Sequence, residues 1–340
     1  MKNFCVLPFF GKEYSFDRPA ISCCLLKHQN IDQIKQEMLK DTRSSACNSC
    51  WKLEDQQLLS DRQLKNSAYD FYADKDIRYV IDEVKVGKYS DQIVKLYTSS
   101  LCNSTCVTCN SKFSTSWAQL EGNNTKASRL DNDIIDSIDY KNLKMLTFVG
   151  GEPLYEKKNF EVLQRLLDAG NSKCFISFTT NGSVELTAHQ QNMLSQFANV
   201  NFCISVDGIG SVFEYLRFPL KWDSIIKTIS TCRSINIEPS ISYTISNLNI
   251  LYYKETIDWF NEQKLNYNHN LVNTPSYFSV NALPAYIKDT ITDGKELLRN
   301  HSITDDTLFL KFIDEINRQD LLKKINIEDY LPKLAALIRN

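Results

Sequence analysis

The chain has 340 residues, 39 basic against 41 acidic side chains, a net charge of −2 and 43% hydrophobic residues. That balance argues against a broad nucleic-acid-binding face, and no run approaches the roughly 20 apolar residues of a membrane span. The opening stretch "MKNFCVLPFFGKEYSFD" lacks the small-residue cleavage site of a secretory signal, so the expected location is cytoplasmic. Eleven cysteines then need an account. A reducing compartment argues against disulfides, and clustered thiols argue for a metal.

Residues 1–66 hold Cys5, Cys23, Cys24, Cys47 and Cys50, with weak periodicity and one predicted helix, "NIDQIKQEMLK". Such a segment lacks apolar bulk for a core of its own, which favours a metal staple. Residues 67–92 are charged and aromatic and read as a connection. From 93 to 275, β-branched runs ("QIVKLYTSS", "LKMLTFVGG", "KCFISFTTNG", "NVNFCISVDG", "EPSISYTISN", "LNYNHNLVN") alternate with amphipathic stretches such as "NFEVLQRLLDAG" and "SIIKTISTCRSI". That alternation predicts βαβ units and a parallel sheet. About six units fit, fewer than the eight of a closed barrel, so the expected fold is α/β, a partial (β/α)6 TIM-like barrel. Residues 276–340 read as a helical C-terminal extension.

Ligands of such sheets sit at the C-terminal strand ends. Four distinctive stretches fall there: "LCNSTCVTC" after the first strand, "GGEP" after the second, "TTNG" after the third and "SVDG" after the fourth. Cys102, Cys106 and Cys109 are spaced C-x3-C-x2-C. A structural zinc wants four closed ligands. Three local thiols without a nearby fourth suggest an iron–sulfur cubane with one iron open to an outside ligand.

This spacing resembles the hallmark of the radical S-adenosylmethionine (SAM) enzymes. The resemblance implies that Cys102, Cys106 and Cys109 hold a [4Fe–4S] cluster whose open iron takes SAM. One electron then cleaves SAM to a 5′-deoxyadenosyl radical that abstracts hydrogen from a substrate. It also implies a SAM pocket. Gly150, Gly151, Glu152 and Pro153 would meet the amino group. Thr180 and Asn181 would lie near the ribose or the methionine end. Ser205 would touch the ribose, Arg217 the carboxylate, and Ile245 and Asn247 the adenine. Ser114, Ser116 and Trp117 match a pattern in one branch of the family and would line the pocket. One departure is Thr108, where the family often carries an aromatic side chain.

The N-terminal cysteines resemble the twitch or SPASM module of that family, here placed before the barrel. The resemblance offers Cys5, Cys23, Cys47 and Cys50 as ligands of a second, auxiliary [4Fe–4S] cluster, with Cys24 an alternative to Cys23. A structural zinc at these positions stays open, since C-x2-C suits it too. Residues 12–26 would form a hairpin, and Glu54, Ser60 and Arg62 match a pattern of the branch. Cys174, Cys203 and Cys232 read as small buried hydrophobes. The partners implied are a small-molecule or peptide substrate and an electron donor such as flavodoxin or ferredoxin. Two other classes remain: a zinc-stabilised binding or scaffold protein, and a simple iron–sulfur electron carrier. Neither needs the strand-end stretches.

Overall fold

The computed structural model describes residues 1–23, 25–26, 30–57, 59–73, 76–298 and 306–338. The chain divides into two compact units: Met1–Ser99 with Ser128–Phe178 and Leu186–Val200, and Ser100–Ala127 with Thr179–Glu185 and Asn201–Asn340. The six strands expected from the alternating text all form, and the α/β class is borne out.

In the first unit β1 (Gly11–Ser15) and β2 (Arg18–Ile21) make an antiparallel hairpin. β1 also pairs in parallel with β3 (Ile93–Tyr97), which pairs with β4 (Met145–Val149) and that with β5 (Phe175–Thr180). The hairpin expected in the N-terminal segment is therefore part of the parallel sheet. Strand residues alternate between faces. One face carries Val94, Leu96, Leu146, Phe148, Ile176 and Phe178, all buried. The Lys157–Asp168 helix supplies Phe160 to it, with the Phe160 and Phe178 rings 6.1 Å apart. The other face carries one polar row in register, Glu13, Lys95, Thr147 and Ser177.

The Ile31–Leu39 helix starts where the sequence suggests, with Asn30 accepting the Asp32 and Gln33 N–H groups. Such a side-chain cap satisfies otherwise orphaned donors. The stretch read as a connection is helical instead, as Asp61–Ala73 and Ile77–Lys85. Val80, Ile81 and Val84 fall on one side of the second helix and join the core with Phe10 and Tyr69.

In the second unit β6 (Asn199–Ser205), β7 (Ser240–Ile245) and β8 (Asn266–Leu271) run parallel. The Trp222–Ser234 and Tyr253–Glu262 helices lie between them in sequence. The C-terminal region is helical as expected: Asp306–Lys323, Ile327–Tyr330 and Pro332–Ile338. Phe312, Ile316, Leu331 and Leu334 from these helices pack in one core with Val107 and Leu216. The extension thus builds on the loop that carries the three cysteines. Among the described residues no helix is long and apolar enough to cross a membrane.

Candidate functional site

The three-cysteine loop belongs to the second unit and is held mainly through its backbone. Ser114 caps the Thr115–Leu120 helix by accepting the Trp117 N–H, and its hydroxyl donates to the Ser104 carbonyl at 2.7 Å. Thr115 Oγ1 accepts the Cys102 N–H, and the Thr115 and Ser116 hydroxyls both donate to the Cys102 carbonyl. Trp117 Nε1 donates to the Cys106 carbonyl at 2.9 Å. Gln319, in the C-terminal helix, donates to the Val107 carbonyl at 3.0 Å. The Lys323 ammonium lies 4.9 Å from the centre of the Trp117 ring. Ser114, Ser116 and Trp117, expected to line a pocket, are the brackets of the loop. Thr115, Gln319 and Lys323 were not foreseen.

Within the loop the Ser104 hydroxyl stands 3.3 Å from both the Cys102 and the Cys106 sulfur. Those two sulfurs can be no farther apart than twice that distance. Burial and the neighbouring Cys106 push the Cys109 thiol up to about 12. It is protonated at neutral pH until a metal displaces the proton.

Arg217 is fixed beside Cys106. The Thr105 and Val107 N–H groups donate to the Phe218 and Leu216 carbonyls at 2.6 and 2.8 Å. Arg217 Nη2 pairs with Asp207 Oδ2 at 2.8 Å, and Nη1 lies 3.8 Å from Cys106 Sγ. Asp207 also accepts the Thr244 N–H, so the turn residue of "SVDG" anchors the arginine. Asn181 is buried, and its amide donates to Asn103 Oδ1, tying the "TTNG" turn to the residue after Cys102. Thr180 Oγ1 accepts the Gly182 N–H. Ser205 ends β6 in register with Ser242. Ile245, at the end of β7, is fully buried. Buried polar atoms of this unit without a hydrogen-bond partner among the described residues include Arg217 Nε, Tyr243 Oη, Asn247 Oδ1 and Asn281 Oδ1. Buried groups left so are costly.

"GGEP" belongs to the first unit. Gly150 has φ +124°, and a Cβ there would sit 2.6 Å from the Ser99 carbonyl oxygen. Gly151 N–H donates to that same oxygen at 2.9 Å. Only glycine fits such a close approach. Glu152 is buried and accepts the Leu154 N–H, while Pro153 O accepts from Asn159.

The N-terminal cysteines also lie in the first unit. Cys5, Cys23, Cys47 and Cys50 line one pocket of about 370 Å³ empty volume, together with Leu26, Met38 and Arg62. Cys24 lies outside the described residues. Burial pushes the Cys5 thiol up to about 12 and Cys47 to about 11, and raises Cys50 as well. Arg62 forks onto Glu54 through Nε at 2.9 Å and Nη2 at 2.6 Å, and Nη1 donates to the Phe4 carbonyl. Ser60 adds a hydroxyl to Glu54. The pattern Glu54, Ser60, Arg62 is thus one buried network. Cys174 and Cys232 are buried, and Cys203 is half-buried.

Among the described residues no three His, Cys, Asp or Glu side chains gather closely enough to hold a single metal ion.

Residues 93–212 match the family model described as "4Fe-4S single cluster domain". Among solved structures the chain matches native anSMEcpe with bound AdoMet and Cp18Cys peptide at 19% identity and TM-score 0.41, over 53% of this chain and 50% of that one. It matches Streptococcus suis SuiB bound to S-adenosylmethionine at 17% and 0.43, over 73% and 53%. A radical S-adenosylmethionine methyltransferase from Kitasatospora setae, TsrM, matches at 10% and 0.39, over 54% and 38%. The chain spans about half the length of the first of these structures. No curated protein matches. The three-cysteine motif and the family match support a 4Fe–4S cluster in this part of the chain.

Proposed function

We propose that this chain is a radical SAM enzyme acting on a small-molecule or peptide substrate. The observation that carries this reading is the three-cysteine loop, whose backbone is bracketed by Thr115, Ser116, Trp117 and Gln319. When bound, a [4Fe–4S] cluster and SAM would supply one-electron cleavage of the sulfonium and a 5′-deoxyadenosyl radical that abstracts hydrogen. Cys102, Cys106 and Cys109 would hold the cluster. Trp117, Thr115 and Ser116 fix the loop backbone so that the thiols stay oriented. Asn247 Oδ1 offers an acceptor suited to the exocyclic amine of adenine, and Ser205 and Ile245 would border the nucleoside.

Cys5, Cys23, Cys47 and Cys50 would hold the auxiliary cluster. Four protein thiolates leave it no open iron, so its part is electron transfer or shaping the substrate site. A second pocket borders Cys23 and is lined by Glu13, Lys95 and Thr147, with Lys95 paired to Glu13 at 3.2 Å. It offers polar groups for a substrate. A flavodoxin- or ferredoxin-type protein would supply the electron.

The test is iron, sulfide and zinc per chain after anaerobic reconstitution, with SAM and dithionite added and 5′-deoxyadenosine followed. About eight irons and deoxyadenosine are expected. Zinc alone without deoxyadenosine would overturn the reading.

A further inference from the structure

Resting on that reading, we infer that Arg217 sets the reduction potential of the three-cysteine cluster through Cys106, and does not serve as the fork for the SAM carboxylate. Arg217 and Cys106 are held in register by the two backbone hydrogen bonds that flank them, from Thr105 and Val107 to the carbonyls of Phe218 and Leu216. Those bonds fix the backbone of residue 217 beside Cys106, and the ion pair with Asp207 at 2.8 Å holds the side chain there. The fork is already engaged: Nη2 on Asp207 and Nη1 toward the Cys106 sulfur. Both terminal nitrogens thus already have a partner and only Nε has none, so a carboxylate could be gripped by two parallel bonds only by sharing an engaged nitrogen.

A positive charge and an N–H aimed at a ligating sulfur favour the more negative, reduced state of a cluster. Reduction adds one electron from an external donor and no proton. Asp207 pairs with the other terminal nitrogen of the guanidinium and offsets part of its charge. Removing Arg217 and removing the Asp207 charge must therefore move the potential in opposite directions. Arg217 is a positioning and electrostatic residue, acting through Cys106.

The experiment is redox titration of the reconstituted protein, followed by the electron paramagnetic resonance signal of the reduced cluster, with SAM affinity measured by equilibrium dialysis. Auxiliary-cluster signal is removed by working in a Cys47→Ala/Cys50→Ala background. Arg217→Gln should shift the equilibrium toward the oxidised form by about tenfold, 59 mV for a one-electron couple. Asp207→Asn should shift it the other way, and Arg217→Lys should fall between wild type and Arg217→Gln. SAM affinity should change less than threefold in all three. If Arg217→Gln does not assemble a cluster, the opposite shift in Asp207→Asn and the small one in Arg217→Lys decide. Unmoved potentials, or a large loss of SAM affinity at unchanged potential, would overturn the inference. Absence of any reducible cluster in the Cys47→Ala/Cys50→Ala protein with its three-cysteine loop intact would instead sink the function proposed above.

Discussion

In the first unit the Phe4 carbonyl and the Val6 N–H, on either side of Cys5, are gripped by the side chains of Arg62 and Asn66. In the second unit the Thr105 and Val107 N–H groups, on either side of Cys106, are gripped by the backbone carbonyls of Phe218 and Leu216. Each site also contains an arginine paired with a carboxylate, Arg62 with Glu54 and Arg217 with Asp207. The difference lies in where the guanidinium is spent. Arg62 gives all its side-chain bonds to oxygen, on Glu54 and Phe4, and its face stacks 4.9 Å from the Trp51 ring. Its charge has become structure. Arg217 turns one nitrogen toward a cysteine sulfur. On the function proposed above, four thiols around a pocket would make a closed site, whereas three thiols with Arg217 beside Cys106 would make one able to change charge.

The sharpest way to break this contrast is to remove cysteines from each site in turn. Cys106→Ala should abolish deoxyadenosine formation. Cys47→Ala/Cys50→Ala should lose about half of the iron, four of about eight per chain, yet keep SAM cleavage without substrate. Cleavage surviving in Cys106→Ala, or vanishing in the N-terminal double variant with its other cluster intact, would erase the distinction.

The next effect in size tests whether Arg62 is purely structural. Glu54→Leu leaves a buried arginine without its counter-charge, which costs about 3–5 kcal/mol. Most of that should return in Glu54→Leu/Arg62→Met, because the charge leaves with its partner. Urea midpoints of the reconstituted proteins measure both. A single variant as stable as the parent would show that water, not Glu54, compensates Arg62.

Lys323 gives a smaller effect in the second unit. Burial holds its ammonium down to about 8 from 10.5, against the opposing pull of Cys106, Asp320 and Glu315, while Arg318 lowers it further. Below pH 8 the lysine is charged in both folded and unfolded chains, and the burial penalty is constant. Between pH 8 and 10.5 the unfolded chain binds more proton than the folded one, so stability rises with pH. The rise is on the order of 3 kcal/mol. Lys323→Met should flatten it in denaturation curves taken from pH 7 to 10.

Much of this contrast was legible beforehand. β3 to β7 were readable as short runs carrying β-branched residues, whereas β8, "NYNHNL", has none and was read from its place in the alternation. The three cysteines were readable because their spacing is local. The brackets were not, since they are long-range: Gln319 meets a carbonyl 212 positions away, and nothing in "INRQDLLKK" announces it. The helices at Asp61–Ala73 and Ile77–Lys85 were hidden by surface charge and aromatics, although Val80, Ile81 and Val84 carry an apolar stripe. Arg217 was found by pattern, but its partner was not, because the register with Cys106 depends on two backbone hydrogen bonds that have no side-chain signature.

The smallest prediction concerns those brackets. Trp117→Phe keeps the buried ring but removes the Nε1–H donated to the Cys106 carbonyl. A single neutral hydrogen bond is worth about 1 kcal/mol, so the urea midpoint should fall only slightly. The loop carbonyl then lacks its donor, and the local opening that exposes the cluster should become easier than global unfolding. Iron release to a chelator should quicken about fivefold at the three-cysteine loop, with release from the N-terminal site unchanged. Equal acceleration at both sites would mean that Trp117 supports the whole protein and that the second site has no separately held loop.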